Sequence, residues 1–414
     1  MLKKTVILPA SKSESNRALM IAAYGGFPPD VANLSDSQDT KVLREALMFC
    51  HERKTIDIAD CGTAARFMTT YLACHDGDWL LTGTDRMKQR PIKPLVDVLR
   101  KLGSSIEYVE SEGFLPLKIH GKSIAGGKAS LDVSQSSQFA SSLLLAAPMW
   151  RDGLELELIG NFNSAPYLDM TIAMMCHFSA QVERKGSVVT VKPKPYRPNS
   201  FTVEADWSAA SYWYELAALS EACEISLMGL CSPSTVRRAP SPASLQGDAI
   251  IADWMQAFGV MTTEMDSALV LTKKSFTNTT LSFDFSNTPD LFPTIVATCA
   301  GLQRPARFTG IANLMFKESD REGAMQAEVA KIGTKLNKVS DNEAVLIPSV
   351  RLPYFEKKRP LHFLSHDDHR VVMALAPLAM KVGDLLFDHP EVVRKSYPSF
   401  WEQMDFTGFW PKKA

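Results

Sequence analysis

Two kinds of helical stretch alternate along the chain. The first is amphipathic, ends near a glycine or a small residue, and leads into two short strand-like runs about a turn. It appears at residues 95–103 followed by 106–119, at 170–180 followed by 182–191, at 250–259 followed by 260–271, and at 325–333 followed by 336–347. The helix ends lie roughly 75–80 residues apart, longer than the periods of solenoids and propellers, so a mixed supersecondary unit is repeated. Weaker copies at 43–58 and near the C-terminus raise the expected number of units to six. The second kind of stretch is apolar nearly all round, at 65–73, 139–147, 291–300 and 371–380. A helix with no polar face is a buried helix. The alternation therefore predicts layered α/β units, each with one exposed and one buried helix. Lys192-Pro193-Lys194-Pro195-Tyr196-Arg197-Pro198 can continue neither a helix nor a central strand, so a domain boundary is expected close by, with three units on each side.

Length agrees with this division: 414 residues, at about 100–200 per domain, make two or three domains. Charge changes the picture more. Lys and Arg number 45 against 46 Asp and Glu, a net charge of -1, which gives no general reason to expect nucleic acid or a membrane surface as partner. An anion site must then be a local concentration of cations. The seven cysteines (Cys50, Cys61, Cys74, Cys176, Cys223, Cys231 and Cys299) are odd in number and contain no CxxC pair. Neither a disulfide framework nor a zinc site is expected, and a reducing cytoplasm is the natural compartment. The first nine residues carry two lysines and too short an apolar run for a signal peptide, and no apolar run approaches 18 residues.

The starts of the buried helices carry the candidate chemistry. They read Ser11-Lys12-Ser13-Glu14-Ser15-Asn16-Arg17, Asp60-Cys61-Gly62-Thr63-Ala64-Ala65-Arg66, Ser136-Ser137-Gln138, Thr288-Pro289-Asp290 and Asp367-Asp368-His369-Arg370. Ser, Thr and Asp are ordinary helix caps, which accounts for any one cluster alone. A Lys or Arg in the first turn opposes the helix dipole, however, and is sensible there if an external anion lies between them. Arg86-Met87-Lys88-Gln89-Arg90 adds three cations in five residues, and Lys317-Glu318-Ser319-Asp320-Arg321 mixes both signs. Read alone these are solvated charged faces; read together they describe a polyanion site with acidic groups close enough to move protons.

The ordered set of these strings resembles the 5-enolpyruvylshikimate-3-phosphate synthases. It runs from Leu8-Pro9-Ala10-Ser11-Lys12-Ser13 through Gly62-Thr63-Ala64-Ala65-Arg66, Lys88-Gln89-Arg90-Pro91-Ile92, Ser136-Ser137-Gln138-Phe139 and Ser164-Ala165-Pro166-Tyr167-Leu168-Asp169. It continues through Leu245-Gln246-Gly247-Asp248, Pro289-Asp290, Asn313 and Lys317-Glu318-Ser319-Asp320-Arg321 to Asp368-His369-Arg370 and Lys395-Ser396-Tyr397-Pro398. The related UDP-N-acetylglucosamine enolpyruvyl transferases share the fold, but the stretch at Lys88 to Ile92 looks like the shikimate enzymes.

The resemblance implies an α/β protein of two similar domains, each of three βαβαββ-like units with buried parallel helices, closing over a cleft. One domain spans 10–205; the other joins 1–9 to 206–414. It implies transfer of the enolpyruvyl group of phosphoenolpyruvate to the 5-hydroxyl of shikimate 3-phosphate, with no cofactor and no metal, by a cytoplasmic monomer. Two phosphates and two carboxylates would be met by Lys12, Arg17, Arg66, Arg90, Lys317, Arg321, Arg370 and Lys395; arginine's planar fork suits both kinds of anion. Ser13, Arg17, Ser136, Ser137, Ser164, Tyr167, Asn313 and Lys317 are expected on the shikimate 3-phosphate side. Gly62, Arg66, Arg90, Arg321, His369, Arg370 and Lys395 are expected on the phosphoenolpyruvate side, with Gln138 and Lys12 touching both substrates. Asp290 resembles the base that takes the hydroxyl proton while also serving as a shikimate contact; Glu318 and Lys12 are the candidates for protonating the methylene carbon. For His369 a direct role and a plain first-turn position both stay open, and Cys61 is the exception among cysteines otherwise read as core residues, because it adjoins Gly62 in the expected site. Ala10 replaces a usual glycine and Asp60 a usual asparagine; Asp60 is expected either to pair with a cation, for which Arg66 along the same helix is a candidate, or to turn away from the ligand, and pairing is the favoured reading. The rival readings are an enolpyruvyl transferase with another acceptor and a non-catalytic anion-binding relative. Asp290 and Glu318 speak against the second, because binding two anions needs no carboxylates.

Overall fold

The computed structural model describes residues 1–161, 164–233, 243–265, 268–276, 280–349 and 360–405. The chain forms two compact units, Lys12–Val203 and a second made of Met1–Ser11 with the chain from Glu204 onward. It therefore changes unit between Ser11 and Lys12 and returns between Val203 and Glu204.

One sheet pattern recurs four times. A parallel pair is extended by two antiparallel strands, and the last strand in sequence lies inside the sheet next to the pair. In the Lys12–Val203 unit, Thr55–Asp57 runs parallel to Gly77–Thr82, which pairs with Leu117–Gly121, which pairs with Ser105–Tyr108. Gly127–Asp132, Leu154–Ile159, Val188–Val191 and Val182–Lys185 repeat that order. In the other unit the same order is taken by Leu281–Asp284, Ala306–Thr309, Glu343–Ile347 and Lys335–Ser340. The fourth copy uses Leu2–Ile7, Cys223–Met228, Ala268–Lys273 and Val260–Met265. The remaining two copies show, among the described residues, only a parallel pair each: Val31–Ala32 with Phe201–Thr202, and Leu361–Phe363 with Leu385–Phe387. Among the described residues, four βαβαββ units and two further parallel strand pairs make an α/β fold.

Crossing of the chain follows from this repeat. Strand Leu2–Ile7 pairs with Cys223–Met228 in one unit, yet leads directly into the helix Lys12–Gly25 of the other. Phe201–Thr202 does the reverse and leads into Trp207–Leu219. At the crossing the two passing segments bond to each other: Ser11 N–H donates to the Glu204 carbonyl (2.8 Å), and Asp206 N–H to that of Pro9 (2.8 Å).

The inner helices are buried as their composition requires. Every residue of Trp207–Leu219 and of Phe292–Gly301 is buried, and all but Thr63 of Gly62–Ala73. Their hydroxyls are absorbed locally. Thr69 Oγ1 donates to the Ala65 carbonyl, Thr298 Oγ1 to that of Thr294, and the Thr70 and Ser142 hydroxyls bond across helices at 2.6 Å. Each large apolar side chain sealed this way contributes about 1.5–3 kcal/mol, and each unit has its own continuous core. Two expected helices are broken. The stretch at 371–380 divides into His369–Leu375, a tight turn Ala376–Leu378 and Ala379–Val382, because Pro377 has no N–H to continue the ladder. The stretch at 250–259 consists of the short helix Ile251–Trp254 between the tight turns Gly247–Ile250 and Met255–Phe258, and ends on Gly259 in the left-handed conformation. No helix among the described residues is long and apolar enough to cross a membrane.

Candidate active site

In the Lys12–Val203 unit the flagged residues stand at four helix starts. Lys12 opens the helix Lys12–Gly25, and its ammonium meets Asp39 at 2.9 Å. Asp39 sits in the first turn of the amphipathic helix Gln38–Phe49, and nothing in the sequence marks it as the partner of Lys12. Arg17 follows one turn along and is fully enclosed. Its Nε donates to Thr171 Oγ1 (2.7 Å), Nη1 to the Ser13 carbonyl (2.9 Å), and Nη2 to the Tyr167 carbonyl (3.1 Å) and Ser141 Oγ (3.4 Å). These acceptors are neutral, and burial lowers the Arg17 pKa to about 10. The guanidinium thus keeps its charge while its fork is fixed from behind.

The second start is built by glycine. A Cβ at Gly62 would lie 2.7 Å from Arg90 Nη1, so only glycine lets the Arg90 guanidinium lie against this helix end. Cys61 caps the same helix, its sulfur accepting from Ala64 N–H; this is the role of a cap, and Asp60 stands partly exposed just before it. Arg66, one turn in, donates to the carbonyls of Gly62 (3.1 Å) and Pro91 (3.0 Å). Ser136 caps the third helix, Ser137–Ala146, and the Gln138 amide reaches back to Thr63 Oγ1 (3.1 Å), tying the second and third starts together. Ser164, in the left-handed conformation, precedes the fourth helix, Ala165–His177, which carries Tyr167. The structure therefore brings Gly62, Arg66 and Arg90 into contact, links Gln138 to that group, and joins Ser13, Arg17 and Tyr167 in another.

In the other unit the flagged residues form a denser network around Arg321. That side chain opens the helix Arg321–Ala330, is 1% exposed, and holds three carboxylates. Its Nη1 donates to Asp290 (2.7 Å), Nη2 to Glu318 (2.8 Å) and Nε to Asp368 (2.8 Å). Asp290 also takes Arg370 Nη2 at 2.7 Å and has Lys317 at 3.7 Å. Burial pushes the Asp290 carboxyl up, but Arg370, Lys317 and Arg321 outweigh it and hold it well below the usual carboxylate range. Burial lowers Lys317, with Asp290 pulling the other way. Asp368 caps His369–Leu375 by accepting from Arg370 N–H (2.9 Å), and so couples the Arg321 fork to the helix that carries His369 and Arg370. His369 is buried, with Nδ1 3.7 Å from Asp368. Lys395, also buried, ends the turn Pro390–Lys395 packed on that helix. Asn313 is buried at the start of the turn Leu314–Phe316, and its Oδ1 has no hydrogen-bond partner among the described residues.

Asp248 was visible in sequence only as part of a matching string. It is buried, accepts a hydrogen bond from Ser208 Oγ, and is raised to about 7, first by burial and then by the charge of Asp290, with Arg370 opposing. It therefore belongs electrostatically to the Asp290 network. Asp368 appeared in the sequence as a cap, and its second bond, to Arg321, spans 47 residues.

The chain is similar to known proteins over nearly its whole length. The family description EPSP synthase (3-phosphoshikimate 1-carboxyvinyltransferase) matches residues 47–404. A Bacteroides fragilis protein named 3-phosphoshikimate 1-carboxyvinyltransferase is 41% identical over 409 residues, covering 99% of this chain and 96% of its own. One of the same name from Syntrophobacter fumaroxidans is 31% identical, covering 98% and 97%. The EPSP synthase structure from Acinetobacter baumannii superposes with a TM-score of 0.73 over 99% of this chain and 96% of that one, at 19% identity, and so shares the fold. By its sequence, over nearly its whole length, the chain belongs to the EPSP synthase family.

Proposed function

We infer that the chain transfers the enolpyruvyl group of phosphoenolpyruvate to the 5-hydroxyl of shikimate 3-phosphate and releases phosphate, the reaction named for its relatives. We assign the work to the two networks described. The observation that supports this most is the Arg321 fork with its three carboxylates, because it couples anion binding to proton transfer. Phosphate and carboxylate groups of substrates compete with Asp290 for Arg321, Arg370 and Lys317. As those cations turn to the substrate, the charges that hold Asp290 down are shared, and its proton affinity rises toward that of a useful base. Asp290 then takes the 5-hydroxyl proton as the oxygen bonds to the central carbon of phosphoenolpyruvate. The methylene carbon gains a proton from Glu318 or Lys12. A methyl proton then returns to the group that delivered it as the carbon–oxygen bond to phosphate breaks and phosphate leaves with the bonding pair, which restores the enol double bond of the product.

The other network is read as the seat of the acceptor and of part of phosphoenolpyruvate. Ser13, Arg17, Ser136, Ser137, Gln138, Ser164 and Tyr167 are assigned to shikimate 3-phosphate with Asn313 and Lys317. Gly62, Arg66, Arg90 and Gln138 are assigned to phosphoenolpyruvate with Arg321, His369, Arg370 and Lys395. We further read the protein as a cytoplasmic monomer; among the described residues none of its seven cysteines forms a disulfide, which suits that compartment. Phosphate release from phosphoenolpyruvate, measured with shikimate 3-phosphate and with an amino-sugar nucleotide as rival acceptors, tests the assignment. Release with the first alone is expected; release with the second at a comparable rate overturns it.

A further inference from the structure

The helix Arg321–Ala330 carries a second buried charge that the reaction does not use. Glu328 lies seven residues after Arg321, two turns along and on the same face. Its side chain is fully enclosed. Oε2 accepts from Leu364 N–H (2.9 Å) and Lys331 Nζ (2.6 Å), and Oε1 from His366 Nε2 (2.9 Å). Lys331 also donates to the His362 carbonyl (3.1 Å). One helix face therefore grips the segment before Asp368 at its far end through Glu328 and at its near end through Arg321.

That segment needs gripping. His366 and Asp367 both have φ of 52°, two consecutive side-chain-bearing residues in the left-handed region. Such a residue costs about 1–2 kcal/mol and persists when its surroundings over-determine it. Ser365 N–H donates to Asp388 (2.7 Å), Asp367 N–H to Ser365 Oγ (3.2 Å), and His389 Nδ1 meets Asp367 at 2.9 Å. Immediately beyond stand Asp368, which orients Arg321, and Arg370, which meets Asp290.

We propose that Glu328 is a positioning residue for phosphoenolpyruvate: its buried carboxyl group, bonded by Leu364, Lys331 and His366, holds His366 and Asp367 left-handed and so sets where Arg370 and the Asp368–Arg321 pair stand. The proposal rests on the assignment of Arg321 and Arg370 to that substrate. Steady-state kinetics of Glu328→Gln test it, with melting temperatures alongside. Misplacing a binding group by a fraction of an ångström supports an expectation of about a tenfold rise in KM for phosphoenolpyruvate, with KM for shikimate 3-phosphate within about twofold. Adding His366→Gly should bring KM for phosphoenolpyruvate most of the way back, because glycine adopts the left-handed turn without a clamp. A lowered melting temperature with unchanged KM, or no recovery in the double variant, overturns the proposal. If Glu328→Gln does not fold, the half-exposed Lys331→Met loosens the same clamp and must show the same split. Arg370→Ala separates the two failures. If it raises KM for phosphoenolpyruvate while Glu328→Gln does not, the positioning role alone falls. If it leaves KM unchanged, the assignment falls and takes this inference with it.

Discussion

Arg17 and Arg321 are both enclosed guanidinium groups with every fork position used, yet they are held in opposite ways. Arg17 donates to two carbonyls and two hydroxyls, and burial lowers its pKa. Arg321 donates to three carboxylates, whose charges outweigh burial and raise its pKa. Neutral acceptors fix a cation's direction without cancelling its field, which suits a group meant only to bind an anion. Carboxylates cancel the field until something displaces them, which suits groups whose proton affinity must change during the reaction. On the proposed assignment Arg17 is thus built for holding, and the Arg321 network for exchange of partners.

The largest test of that contrast is Asp290→Asn. The amide keeps the shape and can still meet Arg321, but it cannot accept a proton. Turnover should fall about 10²–10⁴-fold, the usual worth of a general base, while shikimate 3-phosphate binding measured by calorimetry changes little. Near-normal turnover would remove Asp290 from the role and leave the carboxylate network as scaffolding.

A matched pair of substitutions sharpens the comparison next. Arg321→Met strips the cation from three buried carboxylates, and breaking a buried pair in this way destabilises by about 3–5 kcal/mol. Arg17→Met leaves only neutral acceptors behind, so its stability loss should stay within about 1–3 kcal/mol. Its effect should appear in KM for shikimate 3-phosphate instead, rising about 30-fold or more as a buried charge contact worth upwards of about 2 kcal/mol is lost. Urea denaturation with parallel kinetics checks both. Equal stability losses would mean that the two forks are not different in kind.

The helix starts were legible because caps and cations are local: Ser136 before Ser137–Ala146, Lys12 opening Lys12–Gly25, Asp368 before His369–Leu375. The sheet pattern was legible because each hairpin follows its amphipathic helix in sequence. The pairings were not. Asp39 lies 27 residues from Lys12, and Asp368 lies 47 from Arg321; no periodicity connects them. The break at Pro377 obeys a rule that apolar content masked, since 371–380 reads as one buried stretch. Glu328 was hidden for a related reason. On an amphipathic helix a glutamate one turn before Lys331 reads as a solvated pair, whereas in the fold Leu364 N–H and His366 meet its buried carboxyl group.

The smallest effect tests what pairing is worth inside the same unit. Glu215 sits in the middle of the helix Trp207–Leu219, fully buried, with no hydrogen-bond partner for either carboxylate oxygen among the described residues. Burial alone pushes its carboxyl well above the ordinary 4.5, so it keeps its proton in the folded state. The unfolded chain releases that proton above about pH 4.5. Over that range the folded state binds more protons than the unfolded one, and this group's contribution to stability falls as pH rises. Glu215→Met removes both the orphaned oxygens and the titration. The variant should be more stable than the parent by about 1–3 kcal/mol at pH 8, and the gap should narrow as pH falls toward 4.5. Urea denaturation of both proteins at a series of pH values isolates this group, because every other titration is common to the two. A pH-independent difference, or a loss of stability at pH 8, would show that Glu215 is satisfied in the fold. In that case a carboxylate here needs no Arg321 to be tolerated.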